Sequence, residues 1–120
     1  MTRSTRIILG DILRAARLVQ RYTEGVTFEA FEQDTEKQDA VARRIEIIGE
    51  AVKQLPDGLR EQNPDVPWRD IAGARDILIH EYYRIDLELA WDMVQADIPD
   101  LISDVERILD GMCEWVGHIQ

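Results

Sequence analysis

The chain has 120 residues, of which 45% are apolar and 32% charged, with a formal net charge of −10. This composition suits a single folded domain with a buried core and gives no sign of disorder. Because the longest apolar runs are far shorter than a membrane helix and the N-terminus lacks the apolar stretch of a signal peptide, we expect a cytoplasmic protein with no membrane contact. With only Cys113 and two histidines, we expect neither an internal disulfide nor a structural metal.

Charge is distributed unevenly along the sequence. Residues 1–21 contain five arginines and one acidic residue, a net of +4, whereas the other 99 residues sum to −14. The total charge argues against a protein that follows nucleic-acid phosphates over its whole surface. Two interpretations remain open for Arg14, Arg17 and Arg21. They could contact RNA or an acidic partner, or they could form a solvated helix face that pairs with the acidic helix at the other end of the chain.

The first half predicts two long amphipathic helices with a short helical turn between them. Ser4 can cap the first, which ends near Gly25, and the turn covers residues 27–34. Asp34 or Thr35 can cap the second, which ends at the LPDG sequence. Apolar residues at three- and four-residue spacing predict the two buried faces, Ile8, Ile12, Ala15, Val19 and Tyr22 in the first and Ala40, Val41, Ile45, Ile48, Val52 and Leu55 in the second.

Three prolines between residues 56 and 67 interrupt regular structure, with room for one helical turn among them. Pro67 suits the first position of a helix over 67–80, in which Gly73 is a weak point. Asp86 can cap the last long helix, which Pro99 should kink or divide. Residues 110–120 have the pattern of a flexible tail. The predicted apolar faces are Trp68, Ile71, Ala74, Ile77 and Leu78 in the earlier helix and Leu89, Val94, Leu101, Val105, Ile108 and Leu109 in the later one.

No segment shows the alternation or β-branched enrichment of a strand, and no repeat is present. We therefore predict an all-α fold, an antiparallel bundle of about four principal helices in one domain over residues 1–120.

The candidate site is the sequence GARDILIHEYYRID, residues 73–86. In a regular helix Arg75 and His80 would point about 140° apart, whereas Asp76 and His80 would be neighbours. Arg75 could join them only if the helix ended near His80 or if two copies met. Histidine, an orienting carboxylate and arginine are suitable parts for cleaving RNA without a metal. The alternative is an ordinary Asp76–His80 helix pair with a solvated Arg75.

Other polar and aromatic residues have weaker claims to a site. Tyr82 and Tyr83 could stack on bases, or could be half-buried bundle residues with their hydroxyl groups at the rim. Glu46 and Glu50, one helical turn apart, resemble half of a metal site, but a polar helix face is the simpler interpretation. The sequence has no phosphate-binding glycine loop, serine nucleophile elbow or HExxH motif.

A family resemblance extends over most of the chain. The segments DIL, TFEAF, QDAVARRIEIIGEAVKQLP, PWRDIAGARDILIHEYYRIDLELAW and VQADIPDL occur in order. In this series the chain resembles the HepT-like branch of the HEPN superfamily, the toxins of HepT/MntA toxin–antitoxin systems, from about Asp11 to Leu109.

The resemblance implies an all-α homodimer and a metal-independent ribonuclease that needs no cofactor. Arg75, Asp76 and His80 occupy the positions of the family's Arg-x4-6-His motif. Tyr82 occupies the position to which an MntA-like nucleotidyltransferase antitoxin adds AMP, which silences the toxin. Two residues depart from the usual pattern, because Asp76 stands where many relatives have Asn, and Glu81 stands where they have Gly.

The expected function is therefore an RNA-cutting toxin, with tRNA as one expected substrate, that is neutralised by AMP addition to Tyr82. The alternative is a non-catalytic helical module that binds a nucleotidyltransferase partner.

Overall fold

The computed structural model of the chain describes residues 4–79 and 84–119, with side chains as far as Met112 in the last helix. The helices are α1 (Thr5–Thr23), α2 (Phe28–Glu32), α3 (Thr35–Lys53), α4 (Asp57–Gln62), α5 (Trp68–Ala72), α6 (Ala74–Leu78), α7 (Leu87–Asp92) and α8 (Ile98–Ile119), with a π-helical segment (Met93–Asp97) joining α7 to α8. Within these ranges the one β-type contact is an antiparallel bridge between Ile79 and Ile85. The all-α prediction is confirmed.

Side-chain caps fix the start of several helices where the sequence predicted them. The Ser4 hydroxyl accepts a hydrogen bond from the Ile7 N–H at the start of α1, and the Asp34 carboxylate accepts from the Lys37 N–H at the start of α3. Asp86 accepts from the Leu89 N–H at the start of α7. Each cap satisfies a backbone donor that has no partner inside its helix.

The core forms where α1 packs against both α3 and α8. Phe31 of α2 is fully buried and lies against Trp91 of α7, with ring centroids 5.3 Å apart. The predicted faces of α1 and α3 are confirmed, although Tyr22 and Ala40 are only half-buried. The largest fully buried side chains are Phe31, Leu9, Ile12, Ile48, Leu78, Val19, Val41, Val52 and Val105.

The segment predicted as one helix over 67–80 is two five-residue helices, α5 and α6, separated by Gly73. The prediction of one continuous helix was wrong, although the break falls at Gly73, where the sequence indicated a weak point. The end of α5 lies close to α3, since a Cβ on Gly49 would lie 3.1 Å from the Ala72 carbonyl oxygen. Ile77, predicted to be buried, is 52% exposed because the short α6 turns only Leu78 fully into the core.

The last helix is interrupted just before Pro99, as predicted, and the interruption takes the form of the π-helical segment. Proline supplies no N–H to the carbonyl four residues earlier, and a π turn is one way a helix accommodates such a lost bond. The backbone of α8 continues to Ile119, where a flexible tail was expected. The helical apolar spacing in fact continues through Met112, Val116 and Ile119 in the sequence.

None of the described helices is both long and apolar enough to cross a membrane.

Candidate active site

Arg75 and Asp76 lie on α6, a single helical segment held at both ends. Gly73 separates it from α5, and Ile79, in an extended conformation, ends it after Leu78. Leu78 is buried in the core and anchors the segment, whereas the side chains of Arg75 and Asp76 are 47% and 84% exposed. The fold therefore presents both charged groups to solvent from a rigidly attached turn.

Arg75 is held by Glu46, a residue 29 positions earlier on α3. The Arg75 Nε–H donates to Glu46 Oε2 at 2.7 Å. Arg43, on the same helix as Glu46, donates from Nη1 to the other carboxylate oxygen at 2.5 Å. The hydrogen bond from Arg75, with the charges of Arg75 and Arg43, holds the pKa of the Glu46 carboxyl below its ordinary value of 4.5 against the opposing effect of burial.

Among the described residues, no carboxylate accepts a hydrogen bond from the outer end of the Arg75 guanidinium. Its nearest other carboxylate contact among the described residues is Asp76 Oδ1, 3.9 Å from Nη1, which is too long for a hydrogen bond. Glu46 takes only the Nε–H, so both Nη groups can donate together to two oxygens of one phosphate. Glu46 thus orients Arg75 without occupying its anion-binding edge.

His80, Glu81, Tyr82 and Tyr83 lie outside the described residues, and the residues on either side of them contact each other. Ile79 and Ile85 form the antiparallel bridge, and the Asp86 N–H donates to the Leu78 carbonyl at 2.8 Å. The end of α6 and the cap of α7 are therefore fixed to each other. The two described residues that flank positions 80–83 are therefore paired with each other at the end of the turn that carries Arg75.

The helical-neighbour argument for Asp76 and His80 was wrong in its premise, because α6 ends at Leu78 and Ile79 is extended. The angles of a regular helix do not apply across that boundary. Of the two conditions under which Arg75 could join His80, the end of α6 at Leu78 meets the first, and the meeting of two copies stays a prediction.

A family model described as Ribonuclease HepT-like matches residues 12–108. The chain belongs to this family. It is 43% identical over 110 residues to a Methanocaldococcus jannaschii protein named "Gamma-glutamylcyclotransferase and putative RNase", an alignment that covers 92% of this chain and 50% of that protein. It is 41% identical over 108 residues to "Probable ribonuclease HepT" of Thermococcus cleftensis, covering 90% of this chain and 98% of that one. No solved structure matches significantly.

Membership in the HepT-like ribonuclease family confirms the resemblance drawn from the sequence, and the matched range nearly coincides with the predicted one of Asp11 to Leu109. The chain spans about half of the Methanocaldococcus relative and nearly all of the Thermococcus relative. The family match includes α6 and the segment that follows it.

Arginines of α1 differ in their neighbours. The Arg17 Nη2 lies 3.3 Å from Glu106 Oε2 on α8, as the interpretation of a face paired with the acidic C-terminal helix predicts. Arg14 lines a groove of about 450 Å³ between α1 and α3, together with Arg43, Arg44 and Glu46. Arg21 is exposed further along α1. Arg14 is thus the α1 arginine on the side of the molecule where Glu46 holds Arg75.

Glu46 and Glu50, one helical turn apart on α3, each pair with basic side chains. Glu50 Oε1 lies 3.2 Å from Lys53 Nζ, and Glu46 binds two arginines. Among the described residues, no group of three or more His, Cys, Asp or Glu side chains could hold a metal ion. The polar-face interpretation therefore holds for Glu50, whereas Glu46 belongs to the site.

Glu46 is the site residue that the sequence did not identify. Nothing in the local pattern of α3 links it to Arg75, because the contact depends on how α3 packs against α6. The one available signal was that a carboxylate on a mostly apolar segment, RIEIIGEAV, would need a partner if it were partly buried.

Proposed function

We propose that this chain is a metal-independent endoribonuclease that acts as the toxin of a toxin–antitoxin pair. The observation that carries the proposal is the orientation of Arg75 by Glu46, with no described carboxylate hydrogen-bonded to the Nη groups, five residues before His80 in the sequence. Membership in the HepT-like family and the ribonuclease name of the Thermococcus relative support it. RNA is the substrate, with tRNA as the first class to test.

In the proposed reaction the ribose 2′-oxygen attacks the adjacent phosphorus, and the bond from phosphorus to the 5′-oxygen breaks. His80 takes the 2′-hydroxyl proton, and the 5′-oxygen leaves with a proton from a histidine or water. Arg75 donates to the phosphate oxygens, on which negative charge increases in the transition state. The products are a 2′,3′-cyclic phosphate and a 5′-hydroxyl end.

Asp76 has the proposed role of orienting His80. Its carboxylate is exposed and is not hydrogen-bonded to Arg75, so it is available to a group on the segment that follows. Because α6 ends at Leu78, this contact would form across the helix end rather than along a helix face. A homodimer in which two such segments face one cleft would add the partner's groups to the same phosphate.

Regulation is proposed at Tyr82, by AMP addition from an MntA-like nucleotidyltransferase. The adduct would bring a phosphate and a nucleoside to the segment beside Arg75. Its negative charge would compete with the RNA phosphate for the Nη groups. The bridge between Ile79 and Ile85, the described residues on either side of positions 80–83, supports this proposal.

The test of the ribonuclease is expression of wild type, Arg75→Ala and His80→Ala, with Arg69→Ala as a charge-matched control. Arg69 is an exposed arginine on α5. Wild type and Arg69→Ala should arrest growth and degrade cellular RNA, and the two site variants should do neither. If purified wild type leaves RNA intact and is no more toxic than His80→Ala, the enzyme proposal fails.

The test of regulation is mass spectrometry of the chain after co-expression with the nucleotidyltransferase. A single AMP mass on Tyr82, lost in Tyr82→Phe and kept in Tyr83→Phe, is the expected result. Modification at another residue alone would reject the assignment.

The alternative is a non-catalytic module that binds the nucleotidyltransferase. The observation that favours it is the exposed Asp76 carboxylate, which lies beside Arg75 and would repel an incoming phosphate. A complex that forms with the nucleotidyltransferase, from a chain that cuts no RNA, would establish this alternative.

A further inference from the structure

A second groove lies on the other side of α6 from the Arg75–Glu46 contact. It runs between α3, the α5–α6 pair and the start of α8, and it encloses about 580 Å³. We call it the acidic groove. Its lining residues are Ile45, Ile48, Asp65, Pro67, Asp70, Ile71, Ala74, Ile77, Leu89, Met93, Asp97, Ile98, Asp100, Leu101, Ser103 and Asp104.

The floor of the acidic groove is apolar. Ile48 and Leu101 are buried at its base, and Ile71 and Leu89 are half-buried along its sides. Ile77, at the edge, is 52% exposed, one of two large apolar side chains that are exposed in the described part of the chain. Exposed apolar surface within a concave site is typical of a surface that binds a partner.

The rim carries five aspartates, and no lysine, arginine or histidine appears among the described residues that line the groove. Asp104 lies 3.5 Å from Arg107. Within residues 4–79 and 84–119, the other four, at positions 65, 70, 97 and 100, have no ion pair. Burial and the charges of Asp100, Asp92 and Asp70 raise the pKa of the Asp97 carboxyl. The folded chain therefore keeps like charges together around an apolar floor.

We propose that the acidic groove docks a basic amphipathic helix of a partner protein. The apolar floor matches one face of such a helix, and the aspartates match lysines or arginines on either side of it. RNA is anionic and would be repelled by the same rim. A second copy that placed its groove against this one would bring aspartates together. The proposal is independent of the ribonuclease activity.

The length of the groove determines how many turns of a partner helix can contact it. On one side the groove extends from Asp97, the last residue of the π-helical segment, to Asp104 of α8, a span of eight residues or about 10 Å of helix. The occupant therefore contacts the groove through roughly two helical turns, with leucine- or isoleucine-like side chains at i, i+3, i+4 and i+7.

A designed peptide can test the proposal before the natural partner is identified. The probe is a fluorescein-labelled 14-residue helix of leucine and lysine, with leucine at the spacing above, and its control is a scrambled peptide of the same composition. Binding to the full chain is measured by fluorescence anisotropy. We expect the patterned peptide to bind at least tenfold more tightly than the scrambled one.

Variants of the chain locate the binding surface. Asp97→Asn with Asp100→Asn should weaken binding at least tenfold, and Ile77→Ser about fivefold, with circular dichroism showing that each is folded. The matched control is Glu36→Gln with Asp39→Asn, two exposed acids at the start of α3, which should change affinity less than twofold.

Four results would overturn the proposal. Equal binding of the scrambled peptide, or equal loss in the Glu36/Asp39 control, would show attraction to overall charge alone. Unchanged binding in the groove variants would place the peptide elsewhere. A chain that is dimeric by light scattering and becomes monomeric on Ile77→Ser would make a second copy the occupant.

Discussion

Replacing Glu46 with alanine should weaken RNA cleavage far more than it weakens the fold. The variant removes the acceptor 2.7 Å from the Arg75 Nε and leaves α6 anchored by Leu78. Glu50→Ala is the matched control. Glu50 lies one turn further along α3, is 63% exposed and pairs only with Lys53 among the described residues.

The expected effect of Glu46→Ala on folding is small because both side chains of the Arg75–Glu46 pair are partly exposed. The side chains of Arg75 and Glu46 are 47% and 29% exposed, so water screens their ion pair. Such pairs contribute about 0.5 kcal/mol to folding. Orientation of Arg75 against a phosphate in the transition state is more demanding, and loss of one charge-assisted contact there costs about 1.4 kcal/mol, or roughly tenfold in rate.

The assays are urea unfolding and steady-state cleavage of an RNA oligonucleotide. We expect kcat to fall about tenfold in Glu46→Ala and to be unchanged in Glu50→Ala. Because the folded pKa of Glu46 lies below 4.5, its stabilising effect is present above that pH and is lost as the pH falls through the lowered value. A Glu46→Ala enzyme that cleaves as fast as wild type, or faster, would refute the reasoning, since Glu46 would then be irrelevant to Arg75 or would compete with phosphate.

Three further predictions concern stability, measured by urea unfolding. The folded pKa of Asp97 lies above its ordinary 3.8, so ionisation of this carboxyl destabilises the fold at neutral pH. Asp97→Asn should therefore raise the free energy of unfolding at pH 7 by up to about 0.5 kcal/mol and leave it unchanged at pH 3. An equal gain at both pH values would contradict this. Gly49→Ala should lower the free energy of unfolding by about 1–3 kcal/mol, because its Cβ would press on the Ala72 carbonyl. Gly10→Ala should raise the free energy of unfolding by about 0.5–1 kcal/mol, because a Cβ at Gly10 would have no atom within 4 Å. Similar effects at both glycines would count against the close approach of α3 and α5. Phe31→Ala should cost about 3–5 kcal/mol, since the ring is fully buried against Trp91, and a loss under 1 kcal/mol would mean that α2 is not part of the core.

Local patterns were sufficient to predict the long helices and their caps. Ser4, Asp34 and Asp86 each act on the helix that follows within three residues, so the sequence carries the whole interaction. The buried faces of α1 and α3 follow from apolar spacing for the same reason. Pro99, in the first turn of α8, also predicted an interruption, because the missing N–H is a property of that residue alone.

Contacts between distant segments could not be predicted in this way. The close approach of Gly49 to the Ala72 carbonyl and the exposure of Ile77 both depend on how α5 and α6 are placed against the rest of the chain. The Glu46–Arg75 contact joins residues 29 positions apart. Periodicity alone assigned Glu46 to a polar helix face, and only the packing of α3 against α6 connects it to the candidate site.

The most direct measurement of the central claim is the chemistry of the RNA ends left by the purified chain in the presence of EDTA. The account predicts 2′,3′-cyclic phosphate and 5′-hydroxyl ends, with cleavage reduced about a hundredfold in Arg75→Ala and unchanged in Arg69→Ala. Ends with a free 3′-hydroxyl, cleavage that requires a metal, or full activity in Arg75→Ala would contradict it.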